Sequence, residues 1–103
     1  MPRAIWHGQV VADSERTIVL GGVHYFPQGA VRSDLLRTSG TRRWCPDQGE
    51  ARYYHLLTQD TVQRDGAWYF PHPAPSASRI AGYVAFCTEV EVVETQKPEP
   101  ALV

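Results

Sequence analysis

The chain of 103 residues is long enough for one domain with one hydrophobic core. Its net charge of -1, with no run of Lys or Arg longer than two residues, disfavours nucleic-acid binding, apart from a local patch at Arg37, Arg42 and Arg43. No apolar run is long enough to span a membrane, and the N-terminus lacks the apolar stretch of a signal peptide, so we expect a cytoplasmic protein with reduced thiols.

The first quarter of the chain predicts a series of short β-strands. Short apolar or β-branched runs, separated by glycine or by polar turns, occupy residues 4–6, 9–12, 17–20 and 23–26. A Gly-Gly pair separates the last two runs and predicts a tight turn. This pattern is typical of a β-meander.

The middle of the chain predicts a helical turn, a loop and three strands. Residues 28–36 have apolar residues at helical spacing and predict one helical turn, whereas the polar residues 36–41 predict a loop. Further strands are predicted at residues 42–45, 51–58 and 67–70. A Pro-Asp-Gln-Gly turn joins the first two of these strands.

The last third of the chain predicts one short helix and the longest strand. Residues 76–82 predict about two helical turns with Ile80 buried. Residues 84–93 alternate apolar and polar side chains over most of their length and predict one half-buried strand. Residues 95–103 contain two prolines and no pattern, so we expect a disordered tail after a single domain of residues 1–94. Together the elements favour an all-β, mainly antiparallel fold.

The stretch "TRRWCP", at residues 41–46, places a thiol beside two guanidinium groups and an indole. In an extended strand Arg43 and Cys45 share one face, and Arg42 and Trp44 share the other. Arg43 would then favour the thiolate form of Cys45, which would make that residue a nucleophile or a redox-sensitive thiol. The alternative is a buried cysteine that packs as a small hydrophobic residue.

The histidines and cysteines form no metal-binding motif. They are spread along the chain at His7, His24, Cys45, His55, His72 and Cys87. We therefore predict no metal site and no cofactor. A nucleophilic Cys45 also needs a base, which the fold would have to supply from His24 or His55.

Aromatic residues make up 11% of the chain, and several are adjacent. The adjacent rings are Tyr25-Phe26, Tyr53-Tyr54 and Trp68-Tyr69-Phe70. Because neighbours in a strand point to opposite faces, each pair gives one ring to each side of a sheet. One set then fills the core, and the other either exposes its phenols or lines a pocket for a small planar ligand.

Three blocks of sequence occur in a specific order along the chain: "AIWHGQVVADSERTIVLGGVHYFP", "CPDQGEARYY" and "GAWYFPHPAPSASRIAGYVAFCTEVEV". They resemble the bacterial family called domain of unknown function 427, which is sometimes labelled nucleotidyltransferase-like. The resemblance extends from about residue 4 to residue 93, which is nearly the whole chain. The sequence contains neither a paired-carboxylate metal motif nor a phosphate-binding glycine loop that would support nucleotidyl transfer.

The resemblance implies a β-tent fold, in which two antiparallel sheets lean on each other with one or two short helices at the side. Similar folds elsewhere hold zinc through two cysteine pairs, which this chain lacks, so zinc is not expected. The fold also implies a concave pocket between the sheets. The motif positions expected to line it are Trp6, Tyr25, Cys45, Tyr53 and Trp68.

Two positions differ from the pattern of the family. Val23 stands where the family usually has Asn, and Gln48 stands where it usually has Lys. If the lost amide and ammonium groups serve catalysis in relatives, this protein is altered or inactive. If they are structural, little changes.

These observations favour a domain that binds a small molecule in an aromatic-lined cleft between two sheets. We expect a monomer or a weak homodimer with no nucleic-acid or membrane partner. The first alternative is an enzyme that uses Cys45 in the cleft. The second is a protein-interaction module that uses an exposed strand edge or the tail.

Overall fold

The computed structural model describes residues 1–94, so the tail predicted at residues 95–103 lies outside the described residues. The strands are β1 (Pro2–Trp6), β2 (Gln9–Asp13), β3 (Ile18–Leu20), β4 (Val23–Tyr25), β5 (Leu36–Cys45), β6 (Gly49–Leu57), β7 (Val62–Tyr69), β8 (Val84–Phe86) and β9 (Glu91–Glu94). Three 3₁₀ turns occupy Gln28–Ala30, Ser33–Leu35 and Pro75–Ile80. The predicted mainly β class is confirmed.

Within residues 1–94, no helix is long and apolar enough to cross a bilayer.

The described strands pair antiparallel and form three hydrogen-bonded sheets. Their orders are β2-β1-β9, β3-β4 and β5-β6-β7-β8. The β3–β4 hairpin is joined to the four-stranded sheet by one bridge, in which Phe26 and Val84 exchange two backbone hydrogen bonds of 2.8 Å. The bridge attaches the hairpin to the larger sheet at β8, so three antiparallel sheets are present where the resemblance implies two.

The turn of the β3–β4 hairpin has the predicted tight geometry. Gly21 and Gly22 have φ angles of 60° and 79°. Two central residues with positive φ match the right-handed twist of a two-residue hairpin, and glycine adopts this conformation without strain. The turn brings both strands of the hairpin onto one face of the larger sheet, where Leu20 and Val23 pack.

Apolar side chains pack on both faces of the four-stranded sheet. On one face a first cluster joins it to the three-stranded sheet through Trp6, Val11 and Leu56, which are almost fully buried. On the other face a second cluster packs the hairpin residue Tyr25 against Phe70. The central strands of the sheet therefore contribute to two buried clusters, where the chain length predicts a single core.

Adjacent aromatic residues alternate between these two clusters. Phe26, Tyr54 and Tyr69 belong to the first cluster, and Tyr25, Tyr53, Trp68 and Phe70 belong to the second. The predicted division of each ring pair between the two faces is confirmed. It follows from the two-residue period of an extended chain.

The prediction of a single long strand over residues 84–93 is wrong, because this segment contains β8, a turn and most of β9. The Cys87 N–H bonds to the Gly66 carbonyl at 2.9 Å, and the Val90 N–H then closes a turn on the Cys87 carbonyl at 3.0 Å. The chain crosses at this turn from β8 in one sheet to β9 in the other. The apolar alternation continues through the turn because Val90 is itself buried, so the period alone does not reveal the break.

The loop predicted at residues 36–41 is also wrong, since these residues form the first half of β5. They are polar because β5 is the edge strand of its sheet and its pairing is interrupted between Thr38 and Arg42. The helix predicted at residues 76–82 is a 3₁₀ segment instead. Ala74 stands at its N-cap without a side-chain hydrogen bond, and the hydroxyl of Ser76, inside the segment, donates to the Asp47 carbonyl at 3.1 Å.

Candidate functional site

The candidate site lies on the face of the four-stranded sheet that the β3–β4 hairpin covers. Strand register places Arg43 opposite Ala51 and Tyr53 opposite Trp68 on this face. The rings of Tyr53 and Trp68 have their centroids 6.1 Å apart at an angle of 45°. Because the Ala51 side chain is small, it leaves a depression on this face between Arg43 and the aromatic rings.

A cavity of about 280 Å³ lies between this face and the hairpin. Its wall consists of residues from the hairpin, from β5 to β7 and from the β5–β6 turn: Leu20, Gly21, Val23, Tyr25, Arg43, Cys45, Gln48, Ala51, Tyr53, Trp68 and Phe70. Two other cavities among the described residues have similar volumes, about 260 and 250 Å³. The first cavity is distinguished by four aromatic residues in its wall and by the presence of both a thiol and a guanidinium group, whereas each of the other two has two aromatic residues and only one of these groups.

Four of the five residues expected to line a pocket surround this cavity. They are Tyr25, Cys45, Tyr53 and Trp68. The fifth, Trp6, lies in the first core cluster with only 1% of its surface exposed, on the face that the three-stranded sheet covers. Its position on β1 fixes this placement, because β1 is the central strand of the three-stranded sheet.

The two cavity tyrosines are held in their neutral form. Burial raises the pKa of Tyr25; the Trp68 indole acts in the opposite direction, and Cys45 and Tyr53 raise it further. Burial likewise raises the pKa of Tyr53, against the opposing effect of the Arg43 charge. Both phenols therefore remain protonated at neutral pH; Tyr53 is partly exposed and can donate a hydrogen bond to a ligand, whereas Tyr25 is only 2% exposed.

Arg43 supplies the charge of the cavity. It is exposed at the rim, and among the described residues no carboxylate lies within ion-pair distance of it. Its sequence neighbour Arg42 points to the opposite face, where it is paired in register with Arg52. The "TRRWCP" stretch thus presents one guanidinium to each face of the sheet, as its alternation predicts.

Neither histidine considered as a base for Cys45 reaches the cavity. His24 is hydrogen-bonded through Nδ1 to the Thr17 hydroxyl at 3.1 Å. His55 accepts a hydrogen bond from the Asp65 backbone N–H at 3.0 Å. The described wall of the cavity contains no His, Asp or Glu, so the side chains around Cys45 include none of these common bases.

The chain matches the model of one protein family, described as "Domain of unknown function (DUF427)", over residues 2–97. The chain belongs to the DUF427 family. The resemblance carried by the three sequence blocks is thereby confirmed, and the short name of the family model carries the nucleotidyltransferase label. No curated protein matches the chain.

The two positions at which this DUF427 domain departs from the expected pattern both lie in the cavity wall. Val23 is on the hairpin and Gln48 is in the β5–β6 turn. Local sequence gives no sign of this, because the hairpin reaches the sheet only through tertiary packing. The other wall residues that could have been predicted are Arg43 and Phe70, which alternation places on the same face as Cys45 and Trp68.

A polar cluster lies near the cavity, where the pairing of β5 is interrupted. The carboxylate of Asp65 accepts hydrogen bonds from the hydroxyls of Ser39 at 2.5 Å and Thr41 at 2.8 Å. These bonds, together with the nearby His55 and Arg43, hold the pKa of Asp65 below its usual range, although partial burial opposes them. Within residues 1–94, no group of three or more His, Cys, Asp or Glu residues is arranged to hold a metal ion.

Proposed function

We propose that this DUF427 domain binds a small planar molecule in the cavity between the β3–β4 hairpin and the four-stranded sheet. The observation that carries the proposal is the convergence of four aromatic rings, from three separate segments of the chain, on one concave space. These rings belong to Tyr25, Tyr53, Trp68 and Phe70.

The wall has the composition of a small-molecule site. Ligand pockets combine a mostly apolar, aromatic lining with a few polar groups that fix orientation. Here the rings supply the apolar surface, and the two neutral phenols, the Gln48 amide and the Arg43 guanidinium supply the polar groups. A cavity of about 280 Å³ is just below the usual range of about 300–1,000 Å³ and suits a small ligand of one or two rings.

The partial exposure of Trp68 also supports a binding role. Trp68 is half-buried, whereas Phe70 beside it is only 1% exposed. A large ring that fills the core would be covered on both sides, but Trp68 is partly exposed and lines both this cavity and the third one. That open surface is available to stack against a planar ligand.

Cys45 provides the second candidate function, an enzyme that uses this thiol as a nucleophile. Its favourable observation is that Cys45 is partly exposed in the wall of the same cavity. The described wall offers no His, Asp or Glu to activate it. Binding is therefore the function that we place first.

The proposal is tested by thermal-shift measurements with a panel of one- and two-ring aromatic compounds. A compound present at a hundredfold excess over its Kd stabilises the fold by about 2.7 kcal/mol and raises the Tm. We expect Trp68→Ala to abolish the shift, and Trp68→Phe to retain part of it if Trp68→Ala folds poorly. Trp44→Ala is the matched control, because Trp44 is 70% exposed and outside the cavity wall.

Two outcomes would contradict the binding proposal. One is the failure of every compound in the panel to raise the Tm of the unmodified protein. The other is an unchanged shift in a folded Trp68→Ala variant, which would place the bound compound elsewhere.

A further inference from the structure

The polar groups of the cavity share one property, which is that they offer protons or positive charge. Tyr25 and Tyr53 are neutral phenols, because burial raises the pKa of each, and Gln48 has an amide NH₂ group. Arg43 is the one fully charged side chain of the described wall, which contains no Asp or Glu. The cavity is therefore complementary to a ligand that accepts hydrogen bonds and carries negative charge.

Arg43 is placed to bind such a charge at the mouth of the cavity. It lies two residues before Cys45 on the same face of β5, and its partner in register is the buried Ala51. The small Ala51 side chain leaves open space beside the Arg43 guanidinium. Among the described residues, Arg43 has no ion-pair partner that a ligand would have to displace. The planar fork of arginine binds a carboxylate through two parallel hydrogen bonds.

The nearest competing carboxylate is already engaged. The charge of Asp65 interacts with that of Arg43 and contributes to raising the pKa of Tyr53. Its carboxylate oxygens, however, accept hydrogen bonds from Ser39 and Thr41. Its hydrogen bonds hold it on the polar cluster of β5 and β7, and it does not line the cavity. The guanidinium of Arg43 is therefore available to a ligand.

On the basis of the proposed function, we infer that the ligand is an aromatic carboxylic acid whose ring lies against the partly exposed rings of Tyr53 and Trp68 and whose carboxylate pairs with Arg43. A single charge is the better match, because the described wall supplies a single cation. A phosphate monoester carries about -1.5 to -2 charges near neutral pH, and most of that charge would be desolvated without a partner here.

The inference is tested with acids and their uncharged amides of nearly the same shape. The probes are benzoate with benzamide, 2-naphthoate with 2-naphthamide, and indole-3-acetate with indole-3-acetamide, and the Kd of each is measured by titration calorimetry. A hydrogen-bonded charge pair predicts binding of the preferred acid on the order of tenfold to a hundredfold tighter than its amide. The acid should also lose affinity as salt concentration rises.

Two adjacent arginines provide the matched variants. Arg43→Gln should bring the Kd of the acid close to that of its amide, and Arg43→Lys should restore part of the difference. Arg42→Gln removes the same charge from the next residue, but on the opposite face of the sheet. It should leave the preference for the acid in place.

The outcomes separate this inference from the function on which it rests. If acid and amide bind equally in the unmodified protein, or if Arg43→Gln keeps the full preference, the carboxylate pairing is overturned while binding in the cavity stands. If none of these acids and amides binds while another compound of the aromatic panel raises the Tm, the inference alone is overturned; if no compound of either set binds, the proposed function is overturned with it. If the preference is lost in Arg42→Gln instead, the acid binds on the other face, and the inference is overturned.

Discussion

Cys45 lies directly opposite Gly49 at the closed end of the β5–β6 hairpin. The turn between them is fixed on both sides: the Gln48 N–H donates to the Cys45 carbonyl at 3.1 Å, and the Gln48 carbonyl accepts from the Ala74 N–H at 2.8 Å. This turn holds one end of the cavity wall against the segment that leads to the third 3₁₀ turn.

Gly49→Ala should destabilise the protein. Gly49 has a φ of 109°, and an added Cβ would lie 3.1 Å from the His72 carbonyl oxygen and 3.2 Å from the Ala74 nitrogen. Backbone strain of this kind costs about 1–3 kcal/mol, which urea unfolding would detect as a lower free energy of unfolding. Gly29→Ala is the control, because its added Cβ meets nothing within 4 Å; equal stability of the two variants would contradict the prediction.

Cys45 should react faster than Cys87 with iodoacetamide at mildly alkaline pH. Burial raises the pKa of the Cys87 thiol, so less of its reactive thiolate is present, whereas Cys45 is accessible from the cavity. Peptide mass spectrometry at timed intervals measures both rates, and a bound aromatic acid should protect Cys45 alone. Faster labelling of Cys87 would contradict this order. A rate at Cys45 no higher than that of a free cysteine peptide would count against the enzyme alternative.

Asp65→Asn should lower stability at neutral pH and have little effect in acid. The pKa of Asp65 is lowered in the folded protein, so its contribution is present above the ordinary value of 3.8 and is lost as pH falls through the folded value. The side chain is 35% exposed, and solvent screening limits the effect to about 1 kcal/mol near neutral pH. Urea unfolding at neutral and at strongly acidic pH measures the difference.

Asparagine is the suitable replacement at this position, because Asp65 has a φ of 50° and asparagine tolerates this region. Asp60→Asn, at an exposed carboxylate in the β6–β7 connection, controls for the change in net charge. A loss of stability at Asp65 that is the same at both pH values would show that ionisation plays no part.

The domain should be a monomer of 11.6 kDa in light scattering coupled to size exclusion. The free edge of the four-stranded sheet is β5, which contains Arg37, Arg42 and Arg43 and no acidic residue. Antiparallel pairing of this edge with that of a second copy would bring like charges together. A stable dimer that dissociates at high salt would contradict this account and would favour the interaction-module alternative.

Much of the site followed from the two-residue period of strands, and the rest depended on how strands meet. Alternation alone separates Tyr53 from Tyr54 and Trp68 from its neighbour Tyr69. It does not show that β3 and β4 fold over the sheet, and so gives no sign that Val23 lines the cavity.

The wrong predictions also come from reading the period of strands and the motif positions without knowing how the strands meet. The apolar period of residues 84–93 continues across a turn, because Val90 packs in the core after the chain has left β8. The motif position of Trp6 predicts a place in the pocket wall, but a motif position does not say which face of a sheet the side chain occupies, and Trp6 lies in the first core cluster. Residues 36–41 form a strand despite their polar composition, which is tolerated because an edge strand has little apolar surface to bury.

The three tryptophans occupy three distinct environments, and the protein consequently carries its own set of optical probes. Trp6 is 1% exposed, Trp44 is 70% exposed, and Trp68 stands between them at the cavity. In single-tryptophan variants, emission from the first would report loss of the core and emission from the second would report access of aqueous quenchers. Emission from the third would report occupancy of the cavity, so binding and unfolding can be followed separately in an unlabelled chain.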